Sequence, residues 1–199
     1  MAFIKNRAWV FLAMLLLSAC LSPVKTEQTT YVINTLPPSI AKKPQHHGTL
    51  VVAQMDSNAI YNTTQMAYST RPYQVSYFAK NSWADTPATM LQSLLIQTVQ
   101  RTHYFSAVGS PSMVGHYDYV LDTQLLQFEQ RFYKSSSEVV VVVRAQITKA
   151  ATNRITATKQ FTVIEAAPFN TPYGGVIAAN RAAAKLMAQI ARFVCHSPL

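Results

Sequence analysis

Five consecutive valines, Val139 to Val143, open the stretch Glu138 to Lys149, which then alternates apolar and polar residues. β-branched side chains crowd a helix and fit a pleated sheet. Val143, Ala145 and Ile147 fall on one face, and Arg144, Gln146 and Thr148 on the other, so the stretch reads as a long strand. A second long strand precedes it, Tyr117 to Phe132, whose alternation slips at Leu125-Leu126 and predicts a bulge there. A third follows, Ile155 to Ile164, with Ile155, Ala157, Phe161 and Val163 on one face. The links Ser135-Ser136-Ser137 and Ala151-Thr152-Asn153 are short. Consecutive strands joined so tightly read as an antiparallel meander.

Two helices flank that meander. Thr86 suits an N-cap and Pro87 the first helical position, where a missing N–H costs nothing. Ala88, Leu91, Leu95 and Val99 then form one stripe, and the helix should end near Arg101 to His103. Pro172 to Cys195 carries the apolar seam Ala179, Ala183, Leu186, Ile190 and Phe193, opposite the polar stripe Arg181, Lys185, Gln189 and Arg192. Cys195 reads as a small apolar helix residue. Shorter strands are expected at Tyr31 to Leu36, Thr49 to Asp56, Tyr73 to Ala79 and Tyr104 to Val108. Pro37 to Gly48 reads as a loop with Lys42, Lys43, His46 and His47, and Gly109-Ser110-Pro111 as a turn. The fold class is α+β: a two-layer sandwich of an antiparallel sheet with two amphipathic helices packed on one face. Residues 31–199 read as one domain. With 49% hydrophobic and 13% charged residues, the chain is too apolar to be disordered.

The first residues set the compartment. Lys5 and Arg7 precede the apolar core Trp9 to Leu17, and the small residues Ser18 and Ala19 precede Cys20. Residues 1–19 therefore read as a secretory signal peptide, too short in its apolar part for the roughly 20 residues a spanning helix needs. Leu17-Ser18-Ala19-Cys20 resembles a bacterial lipobox, in which small residues present a thiol for attachment of diacylglycerol. Cleavage then frees the Cys20 amine for an N-acyl chain. Residues 20–30 read as the lipidated tether. Leu21 and Ser22 are not the aspartate that retains enterobacterial lipoproteins on the inner membrane, so by analogy the outer membrane, on its periplasmic face, is the expected location. Loss of Lys5 and Arg7 lowers the net charge from +9 to +7, from 15 basic and 8 acidic side chains. In an exported protein that excess either serves solubility alone or fits anionic headgroups or an acidic protein partner rather than nucleic acid.

Signatures of chemistry are missing. There is no G-x-x-x-x-G-K-[ST] and no G-x-S-x-G. His46, His47, His103, His116 and His196 match no zinc spacing, and two cysteines make neither a disulfide scaffold nor a multi-cysteine zinc module. Asp118 and Asp122 alternate with apolar residues and read as strand-face or turn partners. The expectation is a non-enzyme with no metal and no cofactor beyond the acyl chains on Cys20.

Residues 59–91 carry a resemblance. Tyr77-Phe78, Trp83-Ala84-Asp85, Pro87 and Met90-Leu91 resemble the signature of the ABC-type transport auxiliary lipoprotein family, the PqiC-like proteins. Phe105 and Val108, Tyr119 to Glu129, and the alanine-rich Ala178 to Phe193 resemble its later elements, over roughly residues 31–195. The tail Arg192-Phe193-Val194-Cys195 departs from the family in lacking a tryptophan. The resemblance implies a non-catalytic outer-membrane lipoprotein that docks the MCE-domain periplasmic protein of an intermembrane lipid transport system, with homo-oligomeric assembly compatible with that role. Tyr61, Tyr68, Arg71, Tyr77 and Trp83 are the candidate partner or subunit contacts, with core packing the first reading for Tyr77, Phe78 and Trp83. An outer-membrane assembly lipoprotein that plugs a barrel or meets lipopolysaccharide, and a structural lipoprotein of the envelope that binds peptidoglycan, are the alternative functions.

Overall fold

In the computed structural model the described residues are 27–40, 44 and 46–198. The signal segment, Cys20, most of the tether, Lys42 and Lys43 lie outside them, as do the side chains of His46 and His47. In chain order the elements are β1 (Thr29–Tyr31), β2 (His46–Val52), β3 (Asp56–Ser57), β4 (Gln65–Ser69), β5 (Ser76–Trp83), α1 (Pro87–Gln100), β6 (Phe105–Gly109), β7 (Tyr119–Phe132), β8 (Ser137–Lys149), β9 (Arg154–Ala166) and α2 (Pro172–His196).

The long strands form the meander that their patterning requires. β7 pairs antiparallel with β8 from Tyr119↔Lys149 to Phe132↔Ser137, and β8 with β9 from Glu138↔Ala166 to Lys149↔Arg154. The β7–β8 register shifts between Leu125 and Gln127, which leaves Leu126 as the extra residue of the anticipated bulge.

The sheet as a whole is mixed rather than antiparallel. Three successive pieces run parallel along the other edge of β7: β2 at Leu50↔Tyr119, β3 at Asp56↔Gln124 and β4 at Tyr68↔Gln130. β6 lies parallel to β2, β5 antiparallel to β4, and β1 parallel to β5. Parallel neighbours need long crossovers, and α1 lies within the connection between β2 and β6. That pairing joins segments far apart in the chain and leaves no mark on local alternation.

Three short elements differ from expectation. The first strand stops at Tyr31, because the Asn34 and Thr35 amides donate instead to Asn180 Oδ1 of α2, at 3.0 and 3.2 Å. Thr49 to Asp56 divides into β2 and β3, and β2 begins inside the expected loop, at His46. The Tyr73 strand begins only at Ser76, and β4 precedes it unannounced.

Both helices start as the sequence requires. Thr86 accepts from the Thr89 amide at 3.4 Å, Thr171 from the Gly174 amide at 3.1 Å, and a proline follows each cap. α2 lies across β8 and β9, and α1 sits beside α2 over β2, β6 and β7. Ala178, Ala179, Ala182 and Ala183 are fully buried, and so are Val139, Val141 and Val143 of the sheet. Small side chains let the helix approach the branched ones closely. Leu91, Leu95, Leu121, Leu125, Leu186 and Ile190 fill the rest of the interlayer, and burial of each contributes about 1.5–3 kcal/mol. Phe193 is half-buried, edge-on to Phe161 at 5.7 Å. The opposite face of the sheet carries neither helix.

Candidate functional site

After the bulge, alternation along β7 sends Phe128, Gln130 and Phe132 toward the helix layer. Gln127, Glu129 and Arg131 go to the helix-free face. Glu129 is only 6% exposed. A buried carboxylate needs donors around it, and Glu129 has three. Arg131 Nε and Gln127 Nε2 donate to Oε1 at 3.0 and 2.8 Å, and the Tyr61 hydroxyl donates to Oε2 at 3.3 Å. Burial, then the neighbouring Glu129 charge, hold the Tyr61 phenol well above its ordinary pKa. The hydrogen bond to Glu129 likewise raises the Arg131 guanidinium.

This cluster forms the floor of a cleft of about 560 Å³. The β4–β5 connection, residues 70–75, makes one wall with Arg71 and Tyr73; Tyr133 lines the rim. Arg71 Nε donates to Gln74 Oε1, which stiffens the wall. Tyr73 has φ 63° and is fully exposed. Pro72 followed by a positive φ is the order of a type II turn, whose third position ordinarily takes glycine or asparagine. A bulky residue there costs on the order of 1–3 kcal/mol. The exposed Tyr73 ring therefore stands out from the wall of the cleft on a strained turn, as His103 (φ 55°) and Asn153 (φ 50°) stand on theirs elsewhere.

The five candidate contacts divide between the faces. Tyr61 and Arg71 meet in the cleft. Tyr77 stands behind it and donates to the Ile60 carbonyl at 2.9 Å, which pins the 3-10 turn Ala59–Tyr61 that delivers Tyr61. Tyr68 lies toward the helix layer, stacked on Phe78 at 4.4 Å and edge-on to Phe132 at 5.9 Å. Trp83 is 4% exposed and edge-on to Phe128 at 5.6 Å; it is a core residue with no face for a partner. Cys20 is outside the described residues.

Glu129, Arg131 and Tyr73 were not singled out from the sequence. The signal for the first two was present in the i, i+2 spacing of Gln127, Glu129 and Arg131 beyond the bulge. The signal for Tyr73 was a proline followed by an aromatic at a turn.

The two aspartates noted from the sequence lie elsewhere. Asp118 Oδ2 accepts from the Thr49 amide at 2.8 Å and ties β2 to the start of β7. Asp122 lies apart on the helix-free face, where partial burial raises its carboxyl pKa. Among the described residues no group of three histidine, cysteine or acidic side chains is placed to hold a metal ion. Among them, too, no helix is long and apolar enough to cross a membrane.

Residues 31–191 match the family model described as ABC-type transport auxiliary lipoprotein component. The chain belongs to that family. Its solved neighbours share the fold. A Xanthomonas campestris protein of the family model DUF330 superposes with TM-score 0.76 at 18% identity, covering 84% of this chain and 95% of that one. An uncharacterised protein gives TM-score 0.69 at 16% identity, covering 84% and 99%. No curated protein matches the chain. The auxiliary lipoprotein family is defined by a supporting part in transport, and its α+β sandwich here presents a cleft and a helix-free sheet face.

Proposed function

We propose that this auxiliary lipoprotein is a non-catalytic, lipid-anchored adaptor. Acyl chains on Cys20 hold it at the periplasmic face of the outer membrane. The helix-free face, with its cleft, docks the MCE-domain periplasmic protein of an ABC-type intermembrane transport system. The observation that carries the reading is the family match over residues 31–191 behind a lipobox-like Leu17-Ser18-Ala19-Cys20.

The physics of such an adaptor is simple. Each buried CH₂ of an acyl chain contributes about 0.8 kcal/mol, so one chain anchors marginally and two or three hold firmly. Tethering turns docking into a local event and raises the effective concentration of the transport component beside the membrane. Arg71 and Arg131 line the cleft beside the exposed ring of Tyr73. An acidic loop carrying one apolar anchor on the partner is complementary to that arrangement.

Affinity purification of the full chain from envelopes, beside its Cys20→Ser variant, tests the proposal. The wild-type chain should fractionate with the outer membrane and bring the MCE-domain protein with it. The variant should leave that fraction or stay unprocessed. A Cys20→Ser chain of mature size that remains at the outer membrane, or a wild-type chain that enriches a barrel protein or peptidoglycan and no transport component, contradicts the proposal.

A further inference from the structure

β9 closes one side of the sheet. Among the described residues it pairs with β8 alone, so thirteen residues leave the hydrogen-bonding groups of their outer edge without a neighbouring strand. An edge of that length is a template for another strand, and proteins that keep such edges solitary blunt them with proline, charge or short length. β9 contains no proline. Its central charge, Lys159, lies over the ring of Phe161 at 5.4 Å. Ile155 and Ile164, near its two ends, are each 54% exposed.

We propose that β9 pairs antiparallel with β9 of a second copy of this chain, about a two-fold axis at Gln160. In that register Gln160 faces itself, and Thr158 faces Thr162 of the second copy. Lys159 faces Phe161, and Ala157 faces Val163. Thr156 is already the extra residue against β8, because Ile147 pairs with Ala157 and Thr148 with Ile155. The same bulge carried to the outer edge brings Ile155 opposite Ile164 and Arg154 opposite Glu165. The two exposed isoleucines thus cover each other, and Arg154 comes beside Glu165, whose carboxylate the Lys185 ammonium of α2 already holds.

Complementarity with itself along the whole edge selects a second copy over a foreign strand. A one-residue slip would set each strand's apolar residues against the wrong face. A two-residue slip would part the isoleucines. The axis runs through the sheet, so the helices of both copies lie on one side and both helix-free faces on the other. The pairing does not depend on the docking proposed above.

Disulfide trapping in the full-length, detergent-solubilised chain tests the register. In a Cys195→Ala background, Gln160→Cys should oxidise to a covalent dimer, while the background alone and Thr152→Cys, in the β8–β9 turn, should not. Thr158→Cys and Thr162→Cys should each stay single, and a mixture of the two should cross-link. These positions lie about 13 Å apart along one strand and cannot bridge within a chain. The wild-type chain should sediment as a dimer or an even multiple. A monomer at micromolar concentration overturns the proposal. So does a larger assembly in which neither Gln160→Cys nor the threonine mixture cross-links. If Gln160→Cys fails to fold, the threonine mixture decides.

Discussion

A carboxylate as buried as Glu129 persists only because Arg131, Gln127 and Tyr61 surround it with donors. Removing the Tyr61 hydroxyl should therefore cost about 1 kcal/mol, since two donors remain. The same hydroxyl makes stability depend on alkaline pH. Its folded pKa is raised above the ordinary phenol value of 10.0, so above that pH the folded chain holds a proton the unfolded chain has lost. Its contribution is full below the ordinary value and falls as pH climbs through the window above it. Urea unfolding should show wild type ahead of Tyr61→Phe at about pH 8, with the gap narrowed at about pH 11. An unchanged gap would mean that neither burial nor Glu129 raises the phenol. At this scale the sequence was informative in part. Tyr61 and Arg71 stood out as an aromatic and a cation in an irregular segment. Glu129 did not, because its burial depends on a turn 68 residues away. Trp83 was legible as a core aromatic before a helix start, and its burial against Phe128 of β7 bears that reading out over the contact one.

Among elements, α2 shows how close approach is encoded. A Cβ on Gly174 would lie 2.0 Å from the Phe169 carbonyl oxygen, and one on Gly175 would lie 2.1 Å from Gln130 Oε1. Gln130 is fixed there, its Nε2 donating to Thr171 O at 3.0 Å and to Ser137 Oγ at 2.9 Å. Alanine is the better helix former by up to about 1 kcal/mol, yet Gly174→Ala should destabilise by about 1–3 kcal/mol because backbone must move. Gly115→Ala, with nothing within 4 Å of the added atom, should shift the thermal midpoint little, and the two melts side by side decide the matter. Elements governed by local rules were readable in advance: the Thr86-Pro87 helix start, the amphipathic helix from Pro172, the valine strand and the bulge at Leu125-Leu126. β4 was not. Gln65–Ser69 is short, and its place beside β7 is fixed by parallel pairing at Tyr68↔Gln130 rather than by its own pattern.

Across the whole molecule, the helix layer and the helix-free face have separate duties. The helices supply the core that holds β7 to β9 in place. The opposite face gathers the cleft, the strained Tyr73 and the buried Glu129 cluster. The two layers and their contents followed from periodicity, whereas the mixed topology and the cleft arose from contacts between segments distant in the chain. Photo-cross-linking in intact cells tests the docking role most directly, with Tyr73 of the full chain replaced by p-benzoylphenylalanine and Arg181 on the exposed stripe of α2 as the comparison site. The account predicts a Tyr73 adduct containing the MCE-domain protein and none from Arg181. An adduct from Arg181 alone, or a Tyr73 adduct with no transport component in it, would contradict it.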